Sequence, residues 1–241
     1  MMEKIRSYLF AIFFYGITLV LFVVMLPTML MTRKGSLCFP IFWTKMVTVM
    51  LRLFCGIKVR VEGLENLPKK NGYIVASKHQ SALETAVFHR LIPNTFYVLK
   101  RELMWLPLAG FYFIKTGCIP IDRKGGATTM RKMLTGVKAR LADEMNLVIF
   151  PEGTRTPPGQ KKPYSPGIAF LYEQCRVPVV PVALNSGYCW PKNKMIKNSG
   201  TVTVRFLKPI EPGLPRREFL DTLYQQIETA QDQLPDPFGG K

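Results

Sequence analysis

The sequence predicts an α/β protein, a mixed central sheet flanked by helices and preceded by an N-terminal membrane-associating helical hairpin. Three observations predict it. The run from Ser7 to Thr32 carries no charged residue, a second apolar stretch fills residues 39–56, and after Gly56 short strands alternate with helices. A length of 241 residues suits one sizeable domain with a small appendage rather than two large ones. The chain therefore divides into a membrane-associating two-helix segment, 1–56, and a globular domain, 57–241.

A helix rising about 1.5 Å per residue crosses a hydrocarbon core of about 30 Å within the uncharged run, so the first helix has the length of a membrane segment. It is too long for a secretory signal and no A-x-A cleavage site follows it, so it is expected to stay attached. In the second helix Thr44, Lys45, Thr48 and Arg52 recur at helical spacing. They predict an amphipathic helix lying at headgroup level or returning as a hairpin arm. Lys4 and Arg6 flank one end of the first helix, Arg33 and Lys34 the other, so charge leaves the topology open.

The globular part begins with Ile57, Val59 and Val61 alternating against Lys58, Arg60 and Glu62, the period of a strand. Further strands are predicted near 72–77, 95–100, 117–121, 146–150, 178–185 and 201–207, and helices near 81–92, 126–143, 166–175 and 216–233. In the second of these helices Met130, Met133, Leu134, Val137 and Leu141 form an apolar stripe opposite a solvated basic face. The last helix repeats the pattern with Phe219, Leu220, Leu223, Ile227 and Ala230.

Lys and Arg number 33 against 16 Asp and Glu, a formal charge of +17 that favours anionic partners. The basic residues lie among apolar stretches, and no nucleic-acid signature is present, so anionic lipid is expected rather than nucleic acid. The cysteines at 38, 55, 118, 175 and 189 are odd in number and form no C-x-x-C pair, which argues against a disulfide framework or a zinc site and fits reduced thiols facing the cytoplasm. His79 and His89 are the two imidazoles, so a His-rich metal site is ruled out and any His-dependent chemistry must use one of them. No metal is expected.

Two segments carry chemistry. The first is Lys78-His79-Gln80-Ser81-Ala82-Leu83-Glu84, where a strand hands over to a helix. Positions five apart on a helix are rotated by roughly 140°, so His79 and Glu84 meet only if His79 precedes the helix. There the carboxylate fixes the imidazole tautomer and stabilises the imidazolium that proton abstraction forms. Ser81-x-x-Glu84 is equally a capping box, a purely structural reading. The second segment is Phe150-Pro151-Glu152-Gly153-Thr154-Arg155, directly after an apolar strand. Gly153 permits close approach to an anion, Thr154 adds a hydroxyl and Arg155 a phosphate-matching fork, although such a turn also simply ends a strand.

Taken together, these segments resemble the 1-acylglycerol-3-phosphate acyltransferase family (PlsC-type, lysophosphatidate acyltransferases). His79 and Glu84 match its His-x4-Asp motif, and residues 150–155 match its Phe-Pro-Glu-Gly-Thr-Arg motif letter for letter. Gly117-Cys118-Ile119-Pro120-Ile121-Asp122-Arg123 is similar to its middle block, and Val179-Val180-Pro181-Val182-Ala183-Leu184 to its last. The resemblance spans roughly residues 57–210. Glu84 stands where the family usually has Asp, and Lys78 where it often has Asn.

The resemblance implies that His79 deprotonates an acceptor hydroxyl, which attacks the thioester of acyl-CoA or an acyl-carrier protein, with no further cofactor. It assigns the acceptor phosphate to Glu152, Gly153, Thr154 and Arg155 and to Arg123. Weaker candidates are Ser81, Lys78 as a modulator of the base or a phosphate contact, and Lys100 and Arg101, which are equally read as surface charges. An apolar groove for the acyl chain is expected, with Phe111-Tyr112-Phe113 and Trp105 as wall residues or as plain core. The first expectation is acylation of lysophosphatidate at its second position, at a bilayer, in the bacterial inner membrane with the site on the cytoplasmic face. Glycerol-3-phosphate, another lysophospholipid or a lyso-aminolipid remain as acceptors, and a non-catalytic, membrane-anchored protein binding anionic lipid is the reading from another class.

Overall fold

The structure is a computed structural model that describes residues 2–122 and 125–239. It opens with α1 (Met2–Val24), a 3-10 turn (Leu26–Leu30), α2 (Arg33–Ser36) and α3 (Cys38–Cys55). Gly56, in the left-handed region at φ +67°, ends α3 by returning its N–H to the Arg52 carbonyl at 3.2 Å. The chain continues through β1 (Ile57–Glu62), β2 (Ile74–Ser77), α4 (Leu83–Leu91) and β3 (Thr95–Lys100). After a 3-10 turn (Arg101–Trp105) come α5 (Ala109–Lys115), β4 (Ile119–Ile121), α6 (Gly126–Ala142) and β5 (Asn146–Ile149). The rest is α7 (Pro166–Cys175), β6 (Val179–Leu184), α8 (Ser186–Cys189), β7 (Gly200–Phe206) and α9 (Arg216–Asp232).

Among the described residues the strands form one seven-stranded sheet in the order β1-β7-β6-β2-β5-β3-β4. Strands β2 to β6 run parallel, whereas β7 is antiparallel to β6 and carries β1 parallel to itself. The carboxyl ends of the parallel strands therefore share one edge, the edge at which open α/β sheets place their ligands. Both faces are covered, so the central strands read as unbroken apolar runs such as Val179–Leu184, every residue of which is buried. Along β2 the side chains alternate between layers: Ile74 and Ala76 pack with α6, α7 and α9 residues such as Val137, Leu171 and Phe219, while Val75 packs on the other side with Leu51, Leu83 and Phe88.

The predicted strands and helices of the globular part are all present, with ends shifted by at most two residues; α2, α5 and α8 are additional. The polar stripe predicted on the second helix is not a single surface. Thr44 faces inward and donates its hydroxyl to the Ala86 carbonyl at 2.9 Å, whereas Lys45 and Arg52 are exposed. A threonine whose hydroxyl meets a backbone carbonyl loses little by burial, so spacing alone misassigned its side. α3 instead turns Val47, Met50, Leu51 and Cys55 to the sheet, joined there by Phe10 of α1, and presents Ile41, Phe42, Val49 and Leu53 outward. The pattern change at Gly56 is thus a change of element type within one continuous core. Both N-terminal helical stretches, Met2–Val24 and Arg33–Cys55, are long and apolar enough to cross a membrane.

This packing separates two neighbouring leucines. Leu51→Ala is expected to lower the stability of the whole protein by ~2–5 kcal/mol, seen as a fall in its thermal midpoint in detergent. Leu53→Ala, on the outward face, should leave that midpoint within the spread of a surface substitution, ~0.5 kcal/mol.

Candidate active site

Strand β2 ends at Ser77 and α4 begins at Leu83, so His79 lies in the extended link between them, ahead of the helix. Its Nδ1 is 2.9 Å from Glu84 Oε1. The Glu84 carboxylate is fully buried, and among the described residues five donors surround it. Oε1 accepts the Gln80 and Ser81 N–H groups, both at 2.7 Å, and faces Nδ1; Oε2 accepts the hydroxyls of Ser81 at 2.8 Å and Ser186 at 2.7 Å. Burial alone raises a carboxyl pKa, but the His79 interaction and the bonds from Ser81 and Ser186 outweigh it, and Glu84 is held below its ordinary value. An ionised carboxylate only accepts, so the imidazole hydrogen sits on Nδ1 and Nε2 is left basic. Capping and orienting are one arrangement here: Ser81 Oγ also accepts the Leu83 N–H at 2.9 Å at the start of α4.

The 150–156 turn grips the same link. The His79 N–H donates to Glu152 Oε2 at 3.1 Å, its carbonyl accepts the Thr156 N–H at 2.7 Å, and its ring stacks on Phe150 with centroids 3.9 Å apart. Gly153 takes φ +67° in open space, so the backbone conformation rather than room demands glycine. Arg155 is half-buried, and Lys192 Nζ donates to its carbonyl at 3.0 Å, bringing a second cation to the turn. No carboxylate pairs with the Arg155 guanidinium among the described residues.

Beside them lies a groove of about 610 Å³, with His79, Phe150, Pro151 and Gly153 at one end. Its apolar walls come from Val98 and Ile121 at the strand ends, Met130 and Met133 of α6, Ile149 of β5 and Ile168 of α7. The aromatic residues expected there are elsewhere. Tyr112 stacks on Phe39 at 4.0 Å, while Trp105 and Phe111 are exposed, so the groove is walled by aliphatic and thioether side chains.

Glu152 and Lys78 depart from their expected places. In the extended link side chains alternate, so His79 faces the groove while Lys78 and Gln80 face a separate polar cavity bordered by Glu228 and Asn185. Lys78 is buried, its Nζ 2.6 Å from Glu152 Oε1 and 2.9 Å from Glu228 Oε1, to which Tyr164 also donates at 2.9 Å. Burial, then the Glu228 charge, pushes the Tyr164 phenol well above its usual range. The Glu152 carboxylate thus points inward, occupied by Lys78 and the His79 N–H. Lys100 pairs with Glu102 at 3.0 Å and Arg101 lies 3.8 Å from Asp122, both exposed and neither lining the groove. Arg123 lies outside the described residues. His89 packs edge-on to Tyr97, away from the groove, and burial lowers its pKa to about 4.

Ser186, Tyr164, Lys192 and Glu228 were not singled out by the sequence, because each reaches the site through the fold from far along the chain and none sits in a recognisable pattern. The pattern of the acyltransferase family matches residues 58–185, more than half the chain. The 1-acyl-sn-glycerol-3-phosphate acyltransferase of Pseudomonas aeruginosa is 35% identical over 162 residues, covering 67% of this chain and 63% of that protein. The alpha form from Homo sapiens is 30% identical over 215 residues, 81% of this chain and 75% of that one. The chain belongs to the 1-acylglycerol-3-phosphate acyltransferase family. The crystal structure of the lysophosphatidate acyltransferase PlsC from Thermotoga maritima has the same fold as this chain, with a TM-score of 0.80 at 22% identity over 96% of this chain and 98% of that one.

A carboxyl whose folded pKa lies below its unfolded value adds stability at neutral pH, and the gain fades as pH falls through the folded pKa. Glu84→Gln is therefore expected to lower the melting temperature at pH 7, with the gap to the native protein narrowing in acid, while kcat falls by roughly 10²–10⁴-fold. Lys78→Met leaves two carboxylates buried without their cation and should cost ~3–5 kcal/mol in thermal unfolding, a loss that the exposed Lys100→Met does not produce.

Proposed function

We propose that this chain transfers a fatty acyl group from an acyl thioester, acyl-CoA or acyl-carrier protein, to the sn-2 hydroxyl of lysophosphatidate, forming phosphatidate. One observation carries the reading: an imidazole whose Nδ1 is held by a buried, fully solvated-by-protein carboxylate stands at the end of an apolar groove, against a turn whose arginine has no carboxylate partner among the described residues. The names of the relatives from Pseudomonas aeruginosa and Homo sapiens support the same acceptor.

In this mechanism His79 Nε2 removes the acceptor proton as the hydroxyl oxygen attacks the thioester carbonyl. The tetrahedral adduct collapses with loss of the thiolate, which recovers the proton from the imidazolium, so the ester forms and the thiol leaves without an acyl-enzyme. Glu84 stabilises the transient imidazolium and remains ionised. The groove falls within the ~300–1,000 Å³ of small-molecule sites and takes an acyl chain, while Arg155 and Lys192 hold the acceptor phosphate. With Lys78 and Glu152 engaged elsewhere, the protein's main task is to hold donor and acceptor together in reacting geometry.

The acceptor is a bilayer lipid, and the outward faces of α1 and α3 suit a bilayer: Ile12, Leu19, Val20 and Leu53 are among the exposed side chains there. The +17 charge draws such a surface to anionic lipid. We assign the enzyme to a membrane, the bacterial inner membrane with its site on the cytoplasmic side.

Purified protein assayed with labelled acyl donor and a panel of acceptors tests this. Transfer is expected to lysophosphatidate, and transfer only to a phosphate-free acceptor overturns the choice. His79→Ala should lower turnover by roughly 10²–10⁴-fold with folding intact, and Arg155→Ala should lower kcat/KM for the phosphorylated acceptor by roughly 10- to 100-fold.

A further inference from the structure

Between β3 and β4 the chain makes an excursion through the 3-10 turn Arg101–Trp105 and helix α5. From Leu103 to Ile114 it carries no charged residue; Lys100, Arg101 and Glu102 precede that run and Lys115 follows it. One face is fastened down. Tyr112 stacks on Phe39 of α3, lies 5.3 Å from Phe22 of α1, and donates its hydroxyl to the Phe22 carbonyl at 3.4 Å. Gly110 lets the helix close against the turn before it, since a Cβ there would strike the Met104 carbonyl oxygen.

The opposite face is apolar and bare. Trp105 is 81% exposed, Phe111 66% and Ile114 64%, the last two at the i, i+3 spacing that puts them side by side on the helix. An exposed cluster of this kind, built on a tightly packed base and rimmed by charged residues, marks a contact surface rather than solvent-facing ornament. Its position names the partner. Through Tyr112 it is continuous with the ends of α1 and α3, where Val20, Val23 and Val24 are also exposed. At its start it adjoins the groove: Val98 and Ile121, on the two strands that frame the excursion, line the groove, and Arg101 lies 3.8 Å from the groove residue Asp122.

We propose that residues 101–115 form a second membrane-inserting element, which enters an anionic leaflet through Trp105, Phe111 and Ile114 and seats the groove against the lipid surface. The proposal rests on the membrane-bound reading of the function. Tryptophan at such a boundary keeps its ring in the acyl region and its N–H at the headgroups, and Lys115 at the far end of the run meets lipid phosphate. A lysolipid then passes from leaflet to groove beside this element, without crossing water.

The test uses the full chain with Trp43→Phe and Trp190→Phe, which leaves Trp105 as its tryptophan. It is mixed with vesicles of phosphatidylglycerol and phosphatidylcholine, with or without brominated acyl chains. The expected result is a blue shift of emission on binding and loss of that emission with brominated lipid. Flotation with vesicles while Trp105 emission stays unshifted and unquenched overturns the proposal and leaves the membrane-bound reading standing. Failure to float overturns both. A blue shift that needs no vesicles and grows with protein concentration assigns the patch to a second copy of the chain, which also overturns the proposal. Independently of the tryptophan replacements, Trp105→Ser/Phe111→Ser/Ile114→Ser is expected to weaken vesicle binding by roughly 100-fold or more, while turnover of a short-chain acceptor dissolved in detergent is unchanged. Unchanged vesicle binding in that variant overturns the proposal.

Discussion

A carboxylate taken out of water must find all of its hydrogen bonds inside the protein, and Glu84 finds them on the link before α4, on the first residues of that link's cap and on Ser186 beyond β6. This requirement organises the site. Two backbone N–H groups arrive only if residues 80 and 81 curl over the start of the helix, and that curl places His79 Nδ1 as the remaining donor. The imidazole orientation is thus a by-product of solvating a buried charge. Once Nδ1 is committed, the basic nitrogen has a fixed identity before any substrate is bound, which is the preorganisation that proton transfer rewards.

Behind the imidazole, a second buried set of charges fixes where the link runs. Lys78 joins the turn after β5 to helix α9 through Glu152 and Glu228, and Glu152 in turn holds the His79 backbone. Isolated ion pairs in an interior add little net stability, but they penalise any arrangement in which one member is missing. Such a set specifies geometry more than it strengthens the fold. The sheet supplies the rest: parallel strands deliver the ends of β2, β5, β3 and β4 to one edge, so base, turn and groove walls meet although they are far apart in sequence.

What the sequence discloses and what it hides divide along the range of the interactions. Period and composition disclose the strands, because a sheet covered on both faces needs unbroken apolar runs, and they disclose α6 and α9 through stripes such as Met133, Val137 and Leu141. The angular argument on residues 79 and 84 discloses that the histidine precedes its helix, since that geometry is local. The fates of Glu152 and Lys78 are not local: the Glu152 carboxylate is drawn inward by the buried Lys78, whose ammonium is also held by Glu228, about 75 residues beyond Glu152 and silent in any motif. Thr44 misleads for a related reason, its polarity being neutralised by a carbonyl on another helix. The groove is hidden because methionines and isoleucines that line a cavity look, in sequence, like those that fill a core.

Glu228 belongs to α9, the last helix among the described residues, whereas α1 and α3 precede the strand that leads to Lys78. During synthesis the apolar helices therefore leave the ribosome and can meet a bilayer long before Lys78 has its second carboxylate. Until α9 docks, the lysine has one acidic neighbour and the strand end bearing the histidine lacks its backing. In chain order the parts that back the histidine link are therefore assembled late: the apolar helices and the Lys78 strand end are made before the carboxylate that completes the buried set.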